Sequence, residues 1–241
     1  MKYRQEECLE CRAKRREAAA LGNMKAELTA AVNEGRGRWR DECGIQGKYL
    51  ESTFENFDQT LQPKAYESMK NYKSGSVVLA SPNIYGVGKT HLVSALIHQM
   101  LDGNNIVARL SDDGKGIIRA RCPAYFVTES RLLSRIRNTY NLRRDDDGET
   151  EEDVFRKLSG FTLLVIDDVG KVRPRDYHFL QGVYFRIIDE RYVNEQSIIL
   201  TTNLDFNELE IHIGGACADR LREMCGNNFI KMGGQSYRIK K

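Results

Sequence analysis

Apolar residues fall along this chain in two rhythms. Short, largely uninterrupted runs at 77–80, 124–128, 163–166 and 197–200 have the length and continuity of strands buried on both faces, as in a parallel sheet. Between them the spacing changes to three and four. Leu92, Leu96, Ile97 and Met100 mark one helix, and Leu132, Leu133, Ile136 and Tyr140 mark a second over 129–140. Further helices are expected at 63–71, 151–158, 179–192 and around 218–222. Strands alternating with helices predict an α/β domain on a parallel sheet. Segments 229–232 and 236–239 are the expected closing strands, after which the chain stops and leaves no room for a helical lid. Two β-like stretches, 106–110 and 117–122, flank the turn-forming Ser111-Asp-Asp-Gly-Lys-Gly116 and predict a hairpin. Its Arg109, Lys115, Arg119 and Arg121 either touch DNA phosphates or form a solvated surface. Near the start, Leu21, Met24, Leu28, Ala31 and Val32 make a helical stripe that Gly35 and Gly37 are expected to break. The stripe either folds back on the main domain or docks on a partner.

Size and charge narrow this picture. At 241 residues the chain is one core domain plus a small appendage. No apolar run approaches a membrane span, and Met1-Lys-Tyr-Arg-Gln-Glu-Glu7 lacks the apolar segment of a signal peptide. A cytoplasmic protein with no membrane partner is the expectation. There the six cysteines are reduced thiols or metal ligands. Cys8 and Cys11 read either as half of a zinc site, with Cys43 as a third ligand, or as free thiols on a helix. A structural zinc takes four ligands, and no fourth Cys or His lies nearby. A net charge of +3 is too small to prove a nucleic-acid partner. Its location says more: residues 1–48 hold eleven Lys/Arg against eight Asp/Glu, leaving 26 against 26 elsewhere. The chain therefore divides into an N-terminal arm, 1–48, and a main domain, 49–241.

The chemistry gathers at the ends of two predicted strands. After the first comes Ser81-Pro-Asn-Ile-Tyr-Gly-Val-Gly-Lys-Thr90, then a helix. Strand, glycine loop, Gly-Lys-Thr and helix is the arrangement that holds the phosphates of a nucleoside triphosphate. Gly86 and Gly88 let the backbone adopt positive φ and turn its N–H groups toward phosphate oxygens. The first helical turn adds unpaired N–H groups and the positive end of a dipole. Lys89 supplies a charge for the β- and γ-phosphates, and the Thr90 hydroxyl suits Mg²⁺. Tyr85, Val87 and His91 complete the stretch, and Asn83 stands where the usual first glycine would be. Asn tolerates the left-handed conformation better than other non-glycine residues.

Alone, this loop is equally an ordinary glycine-rich turn. The segment Leu163-Leu-Val-Ile-Asp-Asp168 decides between the readings, because it ends a buried strand with two carboxylates. Ligands of open α/β sheets bind beyond such strand ends. Asp167 is placed to support Mg²⁺, and Asp168 to polarise a water for attack on the γ-phosphate. Other positions stay open. Asn203 either hydrogen-bonds that water or the γ-phosphate, or begins a turn. Arg220 is either a finger reaching a neighbouring subunit's nucleotide or half of an internal Asp–Arg pair. Phe54 and Phe57 line a base pocket or form a packing strip. The helices from Glu129 to Leu158, with Arg131, Arg135 and Arg137, contact DNA or are a solvated basic face.

Taken together, Gly86-Val-Gly-Lys-Thr-His-Leu92, the Asp167-Asp168 strand, Thr201-Thr-Asn-Leu204, Asp219-Arg-Leu221 and Gly234-Gln-Ser-Tyr-Arg238 resemble the DnaC/IstB-type AAA+ ATPases over roughly 49–238. The resemblance implies a P-loop NTPase of three αβα layers, with a five-stranded parallel core sheet, no C-terminal lid and a small helical N-terminal arm. It implies ATP and Mg²⁺ as ligands, Lys89 and Thr90 as Walker A, Asp167 and Asp168 as Walker B, and Asn203 as sensor 1. Arg220 would be the arginine finger, with Arg222 in reserve. It further implies a loader of a replicative helicase that grips the helicase through its arm, binds single-stranded DNA, and self-associates when ATP is bound. Two alternatives remain: a transposase helper on duplex DNA, and a nucleotide-binding adaptor with little turnover.

Overall fold

The structure is a computed structural model that describes residues 9–103, 122–140, 148–174 and 176–237. The expected basic hairpin of 106–122 lies almost wholly outside these residues, as do Cys8, Arg175 and Arg238. Five strands form one sheet: β1 (Val77–Ala80), β2 (Ala124–Thr128), β3 (Leu163–Val169), β4 (Ser197–Thr202) and β5 (Phe229–Lys231). Their order is β2-β3-β4-β1-β5, and every pairing is parallel. Ser236 and Tyr237 are not in a strand, so the last expected strand does not begin where the sequence pattern placed it.

The period of two within each strand sorts the core into two halves. Val77, Leu79, Leu163, Val165 and Ile199 face α1 (Leu9–Glu42), α2 (Pro63–Lys70) and α3 (Lys89–Asp102). Val78, Ala80, Leu164, Ile166, Ile198 and Leu200 face α4 (Glu129–Thr139), α5 (Glu151–Ser159), α6 (Tyr177–Val193), α7 (Phe206–Ile213) and α8 (Gly215–Cys225). The result is the three-layer αβα architecture of a P-loop NTPase. All five strands run the same way, so their carboxyl ends, and the loops that follow, share one rim.

The arm departs from expectation. Gly35 and Gly37 do not break it, and α1 runs unbroken from Leu9 to Glu42. Gly35 instead seats the indole of Trp39, one turn on: a Cβ at Gly35 would meet Trp39 Cζ2 at 2.5 Å. Trp39 and Cys43 are buried in the core, and the Cys43 carbonyl accepts the Phe126 N–H at 2.7 Å. Arg36 donates to the Gly103 carbonyl at 3.2 Å, and Arg40 pairs with Asp102 at 2.9 Å. Ahead of Glu34, every described side chain of the helix is exposed. The side chains of the Leu21–Val32 stripe lie outside the description. Cys11 lies near the start of α1 and Cys43 just past its end, about 48 Å apart at helical rise, so they cannot share one metal ion within a chain. The Cys43 thiol is pushed up by burial and donates to the Arg40 carbonyl. No described helix is long and apolar enough to cross a membrane.

Candidate functional site

Between β1 and α3 the chain must turn sharply, and three residues take positive φ to do it: Asn83 at 56°, Gly86 at 75° and Gly88 at 96°. Asn83 thus adopts the conformation its side chain tolerates, and its N–H donates to the Asn203 carbonyl at 3.0 Å. Gly88 is required twice over, because a Cβ there would also meet the Phe57 ring at 2.5 Å. Leu92 is the residue whose N–H reaches the Gly88 carbonyl, at 3.0 Å. The amides ahead of it belong to the first turn, where helix geometry leaves donors without intrahelical partners.

Lys89 points inward and is 7% exposed. Its ammonium donates to Asn203 Oδ1 at 2.6 Å and to the Ser81 hydroxyl. Thr90 Oγ1 lies 3.1 Å from both oxygens of Asp167. Asp167 also accepts from the Thr201 hydroxyl at 2.6 Å. A hydroxyl and a carboxylate converging in this way form the hard-oxygen pair that Mg²⁺ prefers, so the donor set fits that ion.

The two carboxylates reach the rim by different routes. Strict alternation would send Asp167 and Asp168 to opposite faces of the sheet. The register between β3 and β4 slips between Ile166 and Val169, where β3 carries one extra residue. Asp168 sits in this bulge at a φ of 58°, with its N–H on Thr201 Oγ1 at 3.0 Å. Its side chain lines the cleft and pairs with Lys171 at 2.9 Å.

Burial lifts the Asp167 carboxyl to about 6, and the neighbouring Asp168 adds to the lift. Hydrogen bonds from Thr201 and Thr90 and the charge on Lys89 oppose it. The folded value exceeds the ordinary 3.8, so the folded chain holds this proton over a window where the unfolded chain has lost it. Stability of the nucleotide-free protein should therefore fall as pH rises from about 4 to about 6, by about 3 kcal/mol from this group. Chemical denaturation of wild type and Asp167→Asn across that window checks it. The difference should grow in favour of the variant as pH rises, and a difference that grows the other way refutes it.

A cleft of about 510 Å³ runs from these groups along the glycine loop. Gly86, Gly88, Lys89, Thr90, Asp168 and Asn203 line it, together with Lys48, Tyr49, Asn56, Phe57, Tyr85 and Tyr237. Tyr85 is 64% exposed, Val87 is buried in the core, and the His91 ring is tied to the Thr53 carbonyl at 2.8 Å. Phe54 packs inward on Tyr66, whereas Phe57 packs on Tyr66 and also lines the cleft. Arg220 is not among the lining residues. It lies on the outer side of α8, 3.0 Å from Asp189 and over the rings of Phe185 and Tyr192. The arginines of α4 are engaged within the chain, Arg131 with Gln46, Arg135 with Glu149 and Arg137 with Phe179.

Three partners escaped the sequence reading. Ser81 and Thr201 are single hydroxyls at strand ends whose only signal is position. Glu129 reads as a routine acidic residue at a helix start, yet it is fully buried.

The model of the IstB-like ATP-binding protein family matches residues 50–241. The chain is 28% identical over 230 residues to the replicative helicase loader DnaC of Buchnera aphidicola, covering 91% of this chain and 83% of that protein. It is 26% identical over 205 residues to a putative ATP-binding protein in an insertion sequence of Mycobacterium tuberculosis, covering 79% and 70%. A crystal structure of the DnaC helicase loader superposes with a TM-score of 0.56 at 21% identity, covering 78% of this chain and 100% of that one.

Proposed function

The chain belongs to the family of IstB-like ATP-binding proteins, and from that membership we propose that it is an ATP-dependent loader of a replicative DNA helicase. The observation that carries the reading is the convergence of Lys89, Thr90, Asp168 and Asn203 on a single cleft, with Asp167 against Thr90. In this reading the glycine-loop amides and Lys89 bind the triphosphate, while Thr90 and Asp167 hold Mg²⁺. The metal would supply charge neutralisation at the β- and γ-phosphates. Asp168 accepts the proton of the attacking water, and Asn203 orients that water or the γ-phosphate. Asn83 takes the left-handed conformation that the loop needs at this turn, and steady-state phosphate release with DNA present separates an ATPase from an adaptor that only binds nucleotide. Arg220, facing away from its own cleft, would complete the site of a neighbouring subunit, making assembly depend on ATP.

The stretch of α1 ahead of Glu34, whose described side chains are exposed, is the proposed grip on the helicase, and the assembled rim the surface for single-stranded DNA. A chain starting at Glu34 retains Trp39 and Cys43 and should fold and bind ATP like the full chain while losing the helicase in a pull-down. Retained helicase binding takes the arm out of the proposal. A start at Tyr49 is the wrong test, since it strips Trp39 and Cys43 from the core.

A second reading, a transposase helper acting on duplex DNA, draws on the insertion-sequence relative. Affinities for duplex and single-stranded DNA with ATP, compared at one fixed salt concentration, separate the two. Preference for the duplex replaces the loader reading.

A further inference from the structure

Glu129 is a buried charge that the phosphate site leaves unused. It opens α4, where an acidic side chain ordinarily faces solvent and favours the helix dipole, yet none of it is exposed. Both oxygens are engaged. Oε2 accepts the Gly170 N–H at 3.0 Å and, more distantly, the Val172 N–H at 3.5 Å. Oε1 accepts the Tyr184 hydroxyl at 2.7 Å and lies 2.7 Å from His212 Nε2. With donors on both oxygens, the ionised, acceptor-only form is the one this site satisfies, and the His212 bond is then Nε2–H donating.

Those donors come from the loop after β3, from α6 and from α7, while Glu129 itself follows β2. The loop is the part that bears on chemistry. Gly170 and Val172, the two residues whose amides reach Oε2, bracket Lys171, and Lys171 pairs with Asp168. Asp168 at φ 58° and Gly170 at φ 84° put two left-handed residues among three, a shape that surrounding contacts must impose. One such contact is steric, because Leu204 fills the space beside Gly170. A second is the Thr201 hydroxyl on the Asp168 N–H, and a third is Glu129.

We infer that Glu129 is a positioning residue for ATP hydrolysis: its carboxylate clamps the backbone on both sides of Lys171 and so sets Asp168 and Lys171 against the phosphate end of the cleft. The inference rests on reading the chain as an ATPase. It places no role on Glu129 toward the nucleotide, so its loss should spare binding and reduce turnover.

The test compares the full chain with Glu129→Gln, Glu129→Asp and Ile188→Ala, the last a buried apolar residue of α6 in the same core half, one turn beyond Tyr184 and with no polar side-chain atom to join the clamp. Calorimetry with ATP and Mg²⁺ gives affinity, steady-state phosphate release gives kcat and KM, and amide exchange reads residues 170 and 172. Glu129→Gln should bind ATP within about twofold of wild type and lose kcat by roughly ten- to a hundredfold, the weight of one charge-assisted hydrogen bond. Its amides at 170 and 172 should exchange faster. Glu129→Asp keeps the charge at shorter reach and should fall between; it also serves if the Gln variant does not fold. Ile188→Ala should lose stability and keep kcat. A folded Glu129→Gln with unchanged kcat, or losses in both variants that simply follow stability, overturns the inference. A wild-type chain that binds ATP and releases no phosphate removes the ATPase reading instead. The clamp then stands or falls on the exchange of residues 170 and 172, and unchanged exchange in Glu129→Gln overturns it.

Discussion

Replacing Lys89 by Ala should cut affinity for ATP–Mg²⁺ by several hundredfold, on the order of 3–5 kcal/mol for removing one partner of a buried charge pair. The size follows from where the ammonium sits. It is 7% exposed, on a rim that also holds Asp167 and Asp168. In the nucleotide-free chain it donates to two neutral oxygens, Asn203 Oδ1 and the Ser81 hydroxyl. A triphosphate would bring anionic oxygens to the same place, and their attraction is little screened there. Without Lys89 the phosphates would lose a buried positive charge that offsets the two aspartates. The variant should fold, since the Ser81 hydroxyl lies 2.7 Å from the Ile84 carbonyl and 3.1 Å from Asn203 Oδ1, so neither group is left without a partner. Calorimetry at saturating Mg²⁺ checks it, and unchanged affinity disposes of the phosphate-loop assignment.

What the sequence made legible here is the chemistry tied to backbone necessity. The glycine loop announces itself because positive φ restricts residue choice, and Asn83 takes the same region at 56°. The strands announce themselves because burial on both faces demands unbroken apolar runs. Where tertiary contacts decide, sequence patterns fail. Gly35 looks like a helix breaker until Trp39 is seen lying on it. The two aspartates look equivalent until the bulge separates a buried Asp167 from a cleft-lining Asp168. Asn203 does stand before a helix, α7, which Asp205 and Glu208 start with a capping box. Glu129 carries no pattern, because its partners lie 41 to 83 residues away along the chain.

Arg220→Ala should leave ATP binding intact while lowering hydrolysis by the assembled protein by roughly a thousandfold, the scale of a finger supplied in trans. The geometry distinguishes it from a residue of its own site. Its guanidinium is held 3.0 Å from Asp189 and within 6 Å of the Phe185 and Tyr192 rings, on a face that does not line the cleft. Those contacts restrict its rotamers before a neighbour arrives, so less freedom is lost when it meets a phosphate. Arg222 is the weaker candidate, stacked on Phe206 at 4.3 Å and only 4.0 Å from Asp219. Mixing two inactive variants makes the test specific. A Lys89→Ala subunit has a defective nucleotide site but an intact Arg220, and an Arg220→Ala subunit has the reverse. If the finger acts between subunits, the mixture should hydrolyse ATP faster than either variant alone, because some interfaces pair the intact site with the intact arginine. A normal rate for Arg220→Ala by itself moves the role to Arg222 or removes it, and a mixture no faster than its components confines Arg220 to its own chain.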